Sequence, residues 1–285
     1  MIKILVDSGS DIDLEEAKMS GIELIPIEIM IDGKSYLDGV NLSHTEFFKK
    51  LIASTSFPQT SQITEYRYIE KFTELTKNGD SVICICLSSK LSGTYNQAVN
   101  ASKKFNNVYV VDSLNACIGE RILTEYAIRL TKEDLSETQI IEKLEEKKKK
   151  IKLFAVLGTL KYLKKGGRIS AITAAAGTML NIKPLLAVVD GELKLAGKAI
   201  GFKKGTHQLN EFIKSTNGID FDMPYTSGYS DFDTIALDKY LADSKDIWGE
   251  HAETITKNML GSTIGTHIGT GAITIAYFEK DGNQN

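Results

Sequence analysis

Four short stretches of the chain concentrate side chains that can hold an anion. In PQTSQ, 58–62, Thr60 and Ser61 offer adjacent hydroxyls. In LSSKLSGTYNQA, 87–98, Ser92-Gly93-Thr94 opens a helical pattern. A helix start exposes unpaired N–H groups and a partial positive charge, and glycine lets a ligand approach the backbone. A carboxylate or a phosphate suits such a place. In KYLKKGGRIS, 161–170, the Gly166-Gly167 pair ends a short basic helix and aims Arg168 from a turn. A guanidinium grips a carboxylate through two parallel hydrogen bonds. In IGTHIGTG, 264–271, His267 sits among three glycines in what reads as a loop, where it can donate to an anion.

Each stretch also has a structural reading. Ser61 or Thr64 can cap a helix beginning near Tyr66, and Ser89 or Ser92 can cap the next. Arg168 can form a surface ion pair. Ser92 and His267 can also act as nucleophile and base, although no acid partner is evident. Other chemistries are excluded by pattern. There is no G-x-x-x-x-G-K-[ST], no G-x-G-x-x-G after the first strand and no G-x-S-x-G. Cys84, Cys86 and Cys117 lack zinc spacing, and Cys84 and Cys86 read as small core residues on one face of a strand. His44, His207 and His251 stand in polar contexts that read as solvent-exposed.

These residues must be positioned by a sizeable soluble fold. The chain has 285 residues, which exceeds the usual single domain. A net charge of −3 argues against nucleic acid and leaves any bound anion to local basic groups. No apolar run reaches the roughly 18–20 residues a membrane span needs. The early aspartates in MIKILVDSGSD do not suit a signal peptide, and sparse cysteine suits the cytoplasm.

The runs KILVDS, SVICICLS and VYVVDS read as strands buried on both faces and ending in polar turns. Helical patterns at 45–53, 66–76, 94–105 and 118–130 alternate with them, which predicts a parallel α/β/α unit. Ligands of such sheets bind beyond the carboxyl ends of the strands. A charged helix over 134–152, with its lysine run in solvent, marks the boundary between units 1–150 and 151–285. The second unit reads as α+β with a mixed or antiparallel sheet. Its elements are a hairpin at Asp190-Gly191, helices at 203–215 and 232–243, and strands near 222–229 and 272–280.

PQTSQ, LSSKLSGTYNQA, VDS, LKYLKKGGRI, NIKPLL and IGTHIGTG, in that order over nearly the whole chain, resemble the DegV family. Its members are fatty-acid-binding proteins that include the FakB subunit of bacterial fatty acid kinase. The resemblance implies a long-chain fatty acid as the ligand, no cofactor and no catalytic apparatus in this chain. It also implies a fatty acid kinase as partner, which supplies ATP and forms the acyl phosphate. Transient membrane contact is compatible with this role. The carboxylate would be held by Thr60, Ser61, Ser92 with Gly93, and His267, with Arg168 at the same mouth between the two units. The sequence departs from the family pattern at Ile63-Thr64 and at Thr270. Ile200 and Phe202 stand where many kinase-coupled members carry arginine. The other readings of the residues are an esterase or thioesterase using Ser92 and His267, and a sensor of small anions or nucleotides.

The physics suits a lipid. Each buried methylene contributes about 0.8 kcal/mol, so a chain of ~14 gains ~11 kcal/mol at most, before ordering costs. A buried carboxylate needs donors to offset its desolvation. The small-residue stretch 171–180 and the apolar stretch 22–30 are candidate walls for the tail.

Overall fold

The computed structural model describes residues 1–168 and 182–282. The expected tunnel wall at 171–180 lies outside the described residues.

The first part of the chain forms β1 (Ile2–Asp7), β2 (Glu23–Ile25), β3 (Glu28–Ile31), β4 (Lys34–Leu37), β5 (Gln59–Ser61), β6 (Ser81–Cys86) and β7 (Val108–Asp112). β2, β1, β6 and β7 lie side by side in that order, and every pairing is parallel. Val82 to Cys86 are all buried, as a central strand covered by helices on both faces requires. Cys84 and Cys86 are buried free thiols whose sulfurs lie 3.6 Å apart, as expected of residues on one face.

The later strands are β8 (Ile151–Val156), β9 (Ile182–Val189), β10 (Glu192–Ile200), β11 (Tyr225–Tyr229), β12 (Lys257–Met259) and β13 (Ile273–Phe278). They form a mixed sheet in the order β10-β9-β8-β13-β11-β12, antiparallel except for β11 with β12. Asp190 and Gly191 both have positive φ, 51° and 81°, as a two-residue hairpin turn requires. The turn leans on the other half of the chain: Ser88 Oγ donates to the Gly191 carbonyl at 2.7 Å.

Several elements differ from the sequence reading. PQTSQ is not all loop, because Gln59–Ser61 pairs with β3 in a small antiparallel sheet, β4-β3-β5. The helix expected over 134–152 runs only from Glu137 to Lys147, and one 3-10 turn, Lys148–Lys150, leads into β8. Nor is the lysine run uniformly solvated. Lys148 is buried, and its Nζ reaches the Asp112 carbonyl at 2.8 Å and Glu145 at 2.7 Å. A long stem lies along apolar surface while its ammonium is satisfied. His207 is exposed as expected, but His44 and His251 are half-buried. His44 Nδ1 lies 3.2 Å from the Met259 carbonyl, and His251 stacks on Phe221 at 3.9 Å.

Candidate functional site

The candidate side chains arrive on four separate segments of the chain. Thr60 lies in β5 opposite Ile29, and Ser61 lies opposite Glu28. Ser92 lies in the turn between β6 and the helix Thr94–Ser102. Its N–H donates to the Ser88 carbonyl at 3.1 Å, which folds the turn back beneath β6. Ser92 Oγ accepts from the Thr94 N–H at 3.2 Å and donates to Thr94 Oγ1 at 3.0 Å. Thr94 Oγ1 also accepts from the Ile63 N–H at 3.3 Å, so this hydroxyl pair ties the two N-terminal loops together. Thr64 caps the helix Glu65–Thr76, which leaves Thr60 and Ser61 outside that role.

IGTHIGTG is mostly helix rather than loop. Ser262–Ile268 is helical, and Gly269, with φ 70°, ends it. His267 therefore stands on the last turn. The helix start is fixed by two buried aspartates: Asp38 accepts from the N–H groups of Ser262 and Thr263, each at 2.9 Å, and Asp11 accepts from the Gly261 N–H at 2.7 Å. Carboxylates suit that end of a helix.

His267 Nε2 and Thr60 Oγ1 lie 3.1 Å apart. Nδ1 is buried with no hydrogen-bond partner among the described residues. Burial, with the Arg168 charge as a second cause, pushes the imidazole pKa down to about 4. The ring is uncharged at neutral pH. Gly166 packs so closely on it that a β-carbon there would collide with Nδ1, so only glycine permits this approach. Arg168 is anchored by its Nε to the Leu91 carbonyl at 3.3 Å and by Nη1 to the Gly166 carbonyl at 2.7 Å. It forms no ion pair among the described residues and is exposed.

Thr60, Ser61, Ser92, Arg168 and His267 all line one cavity enclosing about 880 Å³, its mouth included. Gly93 is set apart: it does not line the cavity and lies under the Gln62 side chain. The remaining walls are mainly aliphatic, with Leu153, Leu186 and Val188 from the larger sheet, Leu157 just beyond β8, and Ile264 and Ile268 from the histidine's helix. The apolar stretch 22–30 contributes Ile27.

Sequence reasoning did not select Gln62, Cys117, Thr263 or Thr274, which also line the cavity. Gln62 belongs to the same PQTSQ stretch and was visible there. The others are scattered singly along the chain and carry no local signal. The serine-hydrolase reading finds no triad among the described residues, because His267 Nε2 faces Thr60 rather than Ser92 and Nδ1 meets no carboxylate. No group of His, Cys, Asp and Glu among the described residues could hold a metal ion.

The family model "Uncharacterised protein, DegV family" matches residues 1–280. A DegV domain-containing protein of Caldanaerobacter subterraneus subsp. tengcongensis is 36% identical over 285 residues, covering 98% of this chain and 99% of its own. One from Staphylococcus aureus strain COL is 34% identical over 280 residues, covering 97% and 98%. Among solved structures, a DegV family protein from Thermus thermophilus, described by its fatty acid binding, superposes with a TM-score of 0.85 at 29% identity, covering 97% of this chain and 99% of its own. A Thermotoga maritima protein with fatty acid binding function gives 0.83 at 26%, with coverage of 97% and 99%. Bacillus subtilis DegV, a fatty acid binding protein, gives 0.81 at 26%, with coverage of 98% and 99%. With a family model matched over residues 1–280 and relatives 34–36% identical over 97–98% of its length, the chain belongs to the DegV family.

Proposed function

We propose that this chain binds a long-chain fatty acid with its carboxylate among Thr60, Ser61, Ser92, Arg168 and His267 and its tail along the aliphatic walls. The observation that carries the reading is the meeting of Thr60 and His267 in the wall of an otherwise largely apolar cavity. Hydroxyls and a neutral imidazole donate hydrogen bonds to a carboxylate, and the exposed guanidinium supplies positive charge. Solved relatives above 25% identity that bind fatty acids support the same ligand class. In this reading residues 1–150 and 151–285 act as two units with the acid between them. Gly93 serves by letting Gln62 and the Ser92 turn pack together.

The carboxylate end lies beside exposed Arg168, so the acid is presented rather than sealed in. We place the chain as the carrier for a separate, ATP-dependent kinase of the kind that works with FakB. The carried carboxylate attacks the γ-phosphorus of ATP there, and an acyl phosphate and ADP form. Ile200, which is exposed, and Phe202 replace arginines common in kinase-coupled members, so the partner surface here is more apolar. A cytoplasmic carrier that collects its acid at a membrane surface fits these features. No helix among the described residues is long and apolar enough to cross a membrane.

Native mass spectrometry of the protein purified from cells tests the lipid reading. One copurified long-chain acid per chain is expected. A bound nucleotide, or no saturable binding of added hexadecanoic acid, would overturn it. The carrier role is tested by adding ATP and a fatty acid kinase to the loaded protein. Acyl phosphate is the expected product, and acid left unchanged would limit the chain to storage or transport.

A further inference from the structure

Cys117, Thr263 and Thr274 line the cavity on elements other than the segments bearing Thr60, Ser92 and Arg168. Thr263 is already engaged, its Oγ1 donating to Asp38 Oδ2 at 2.6 Å. Thr274 has only a weak partner, the Cys117 thiol: it is 3% exposed, and among the described residues its Oγ1 meets no nitrogen or oxygen partner. A buried hydroxyl left in that state is costly, and few persist in folded proteins without a ligand or a water to meet them.

The sheet register shows which way this residue faces. Thr274 on β13 lies opposite Ala155 on β8 and Gly228 on β11, and Ala155 lies opposite Leu186 on β9. Directly opposed residues project from the same face of a sheet. Ala155 and Leu186 both line the cavity, so Thr274 is the hydroxyl in a row that is otherwise small or aliphatic. Gly228 leaves the hydroxyl room, since a β-carbon there would stand 2.5 Å from Thr274 Oγ1. The polar neighbour is Cys117, at the start of the helix Cys117–Leu130, whose thiol interacts with Asp11 and Thr274. Burial raises the pKa of this group well above its ordinary value and keeps it a neutral thiol, a weak donor and a weak acceptor.

We propose that Thr274, with Cys117 beside it, forms a second polar subsite inside the acyl cavity, and that the ligand class it selects is a long-chain fatty acid bearing a hydroxyl on its chain. The proposal rests on the fatty-acid reading of the cavity. A plain alkyl chain displaces any water at Thr274 and strands the hydroxyl. A hydroxylated chain replaces the hydrogen bonds of that water. Threonine both donates and accepts, so it can pair with a chain hydroxyl in either direction.

The test is a binding series with hexadecanoic acid and its positional monohydroxy isomers, on the full chain and on Thr274→Val, which keeps the shape and removes the hydroxyl. At least one mid-chain isomer should bind the wild type about 3–10-fold more tightly than the parent acid. Thr274→Val should abolish that preference and bind hexadecanoic acid at least as well as the wild type does. If no isomer outbinds the parent acid, or if the preference survives Thr274→Val, the subsite is overturned. The wild-type series decides this even if the variant fails to fold. Failure of the wild type to bind hexadecanoic acid or any isomer would instead defeat the fatty-acid reading itself.

Discussion

Thr60 Oγ1 and His267 Nε2 stand 3.1 Å apart although 207 residues separate them in the chain. The pairing joins an edge strand of the small sheet to the last turn of a helix near the C-terminus. It also leaves the histidine with a single polar contact among the described residues, so its other nitrogen is unsatisfied. A carboxylate bound beside the ring would accept a hydrogen bond from it.

Thr60→Val keeps the β-branched shape suited to β5 and removes the hydroxyl. Affinity for hexadecanoic acid should fall about 3–10-fold, the worth of one hydrogen bond, while stability changes by less than ~1 kcal/mol. Titration calorimetry and thermal melts measure the two separately. Unchanged affinity would remove Thr60 from the site.

Burial disfavours the charged form of His267 and pushes its pKa down to about 4. A carboxylate beside the ring favours that form, so binding should raise the pKa. Affinity then increases as pH falls through the window between the bound and free values, while the acid stays ionised. The histidine's NMR shifts, followed with pH with and without hexadecanoic acid, report this directly. Identical titrations would place the carboxylate elsewhere.

Two buried acids give the protein a stability that rises as pH falls. Burial raises Asp7 to about 7 and Asp11 to about 6, above their ordinary 3.8. Their contribution to stability is full below the ordinary value and is lost as pH rises through the folded one. His267, whose folded pKa is depressed, instead costs stability as pH falls from 6.5 toward 4. In His267→Gln, urea midpoints should therefore rise more steeply from pH 8 to 5 than in the wild type. A midpoint that falls over that range in the variant would refute the assignment of Asp7 and Asp11.

Asp38 is a positioning residue for His267. It is fully buried and receives two backbone N–H groups and the Thr263 hydroxyl at the start of the histidine's helix. Asp38→Asn loses the charge and one acceptor. It should cost about 2–4 kcal/mol of stability and also weaken fatty acid binding, because the helix end that carries His267 loosens. Calorimetric melts and acid titration check both. Wild-type affinity in a destabilised variant would show that the clamp serves the fold alone.

The residues that could bind an anion were legible in the sequence, but their convergence was not. β1, β6 and β7 declare themselves as apolar runs that end in polar turns, because strands buried on both faces leave no room for alternation. β5 does not, since Gln-Thr-Ser is short and polar and owes its strand geometry to pairing with β3. The segment 264–271 reads as loop because glycine and threonine are poor helix formers, yet most of it belongs to the helix Ser262–Ile268, whose start is held by Asp11 and Asp38 from more than 200 residues away. Lys148 reads as surface for the same reason: its partner, the Asp112 carbonyl, is distant in sequence. Thr274 carries no motif, and only strand register places it on the cavity face.

The most direct measurement is a crystal structure of the chain with hexadecanoic acid. The account expects the carboxylate within hydrogen-bonding distance of Thr60, Ser92 or His267, with Arg168 nearby and the alkyl chain running past Leu153 and Leu186. A chain bound in the reverse sense, with its carboxylate away from His267, or a cavity that stays empty at saturating acid, would contradict it.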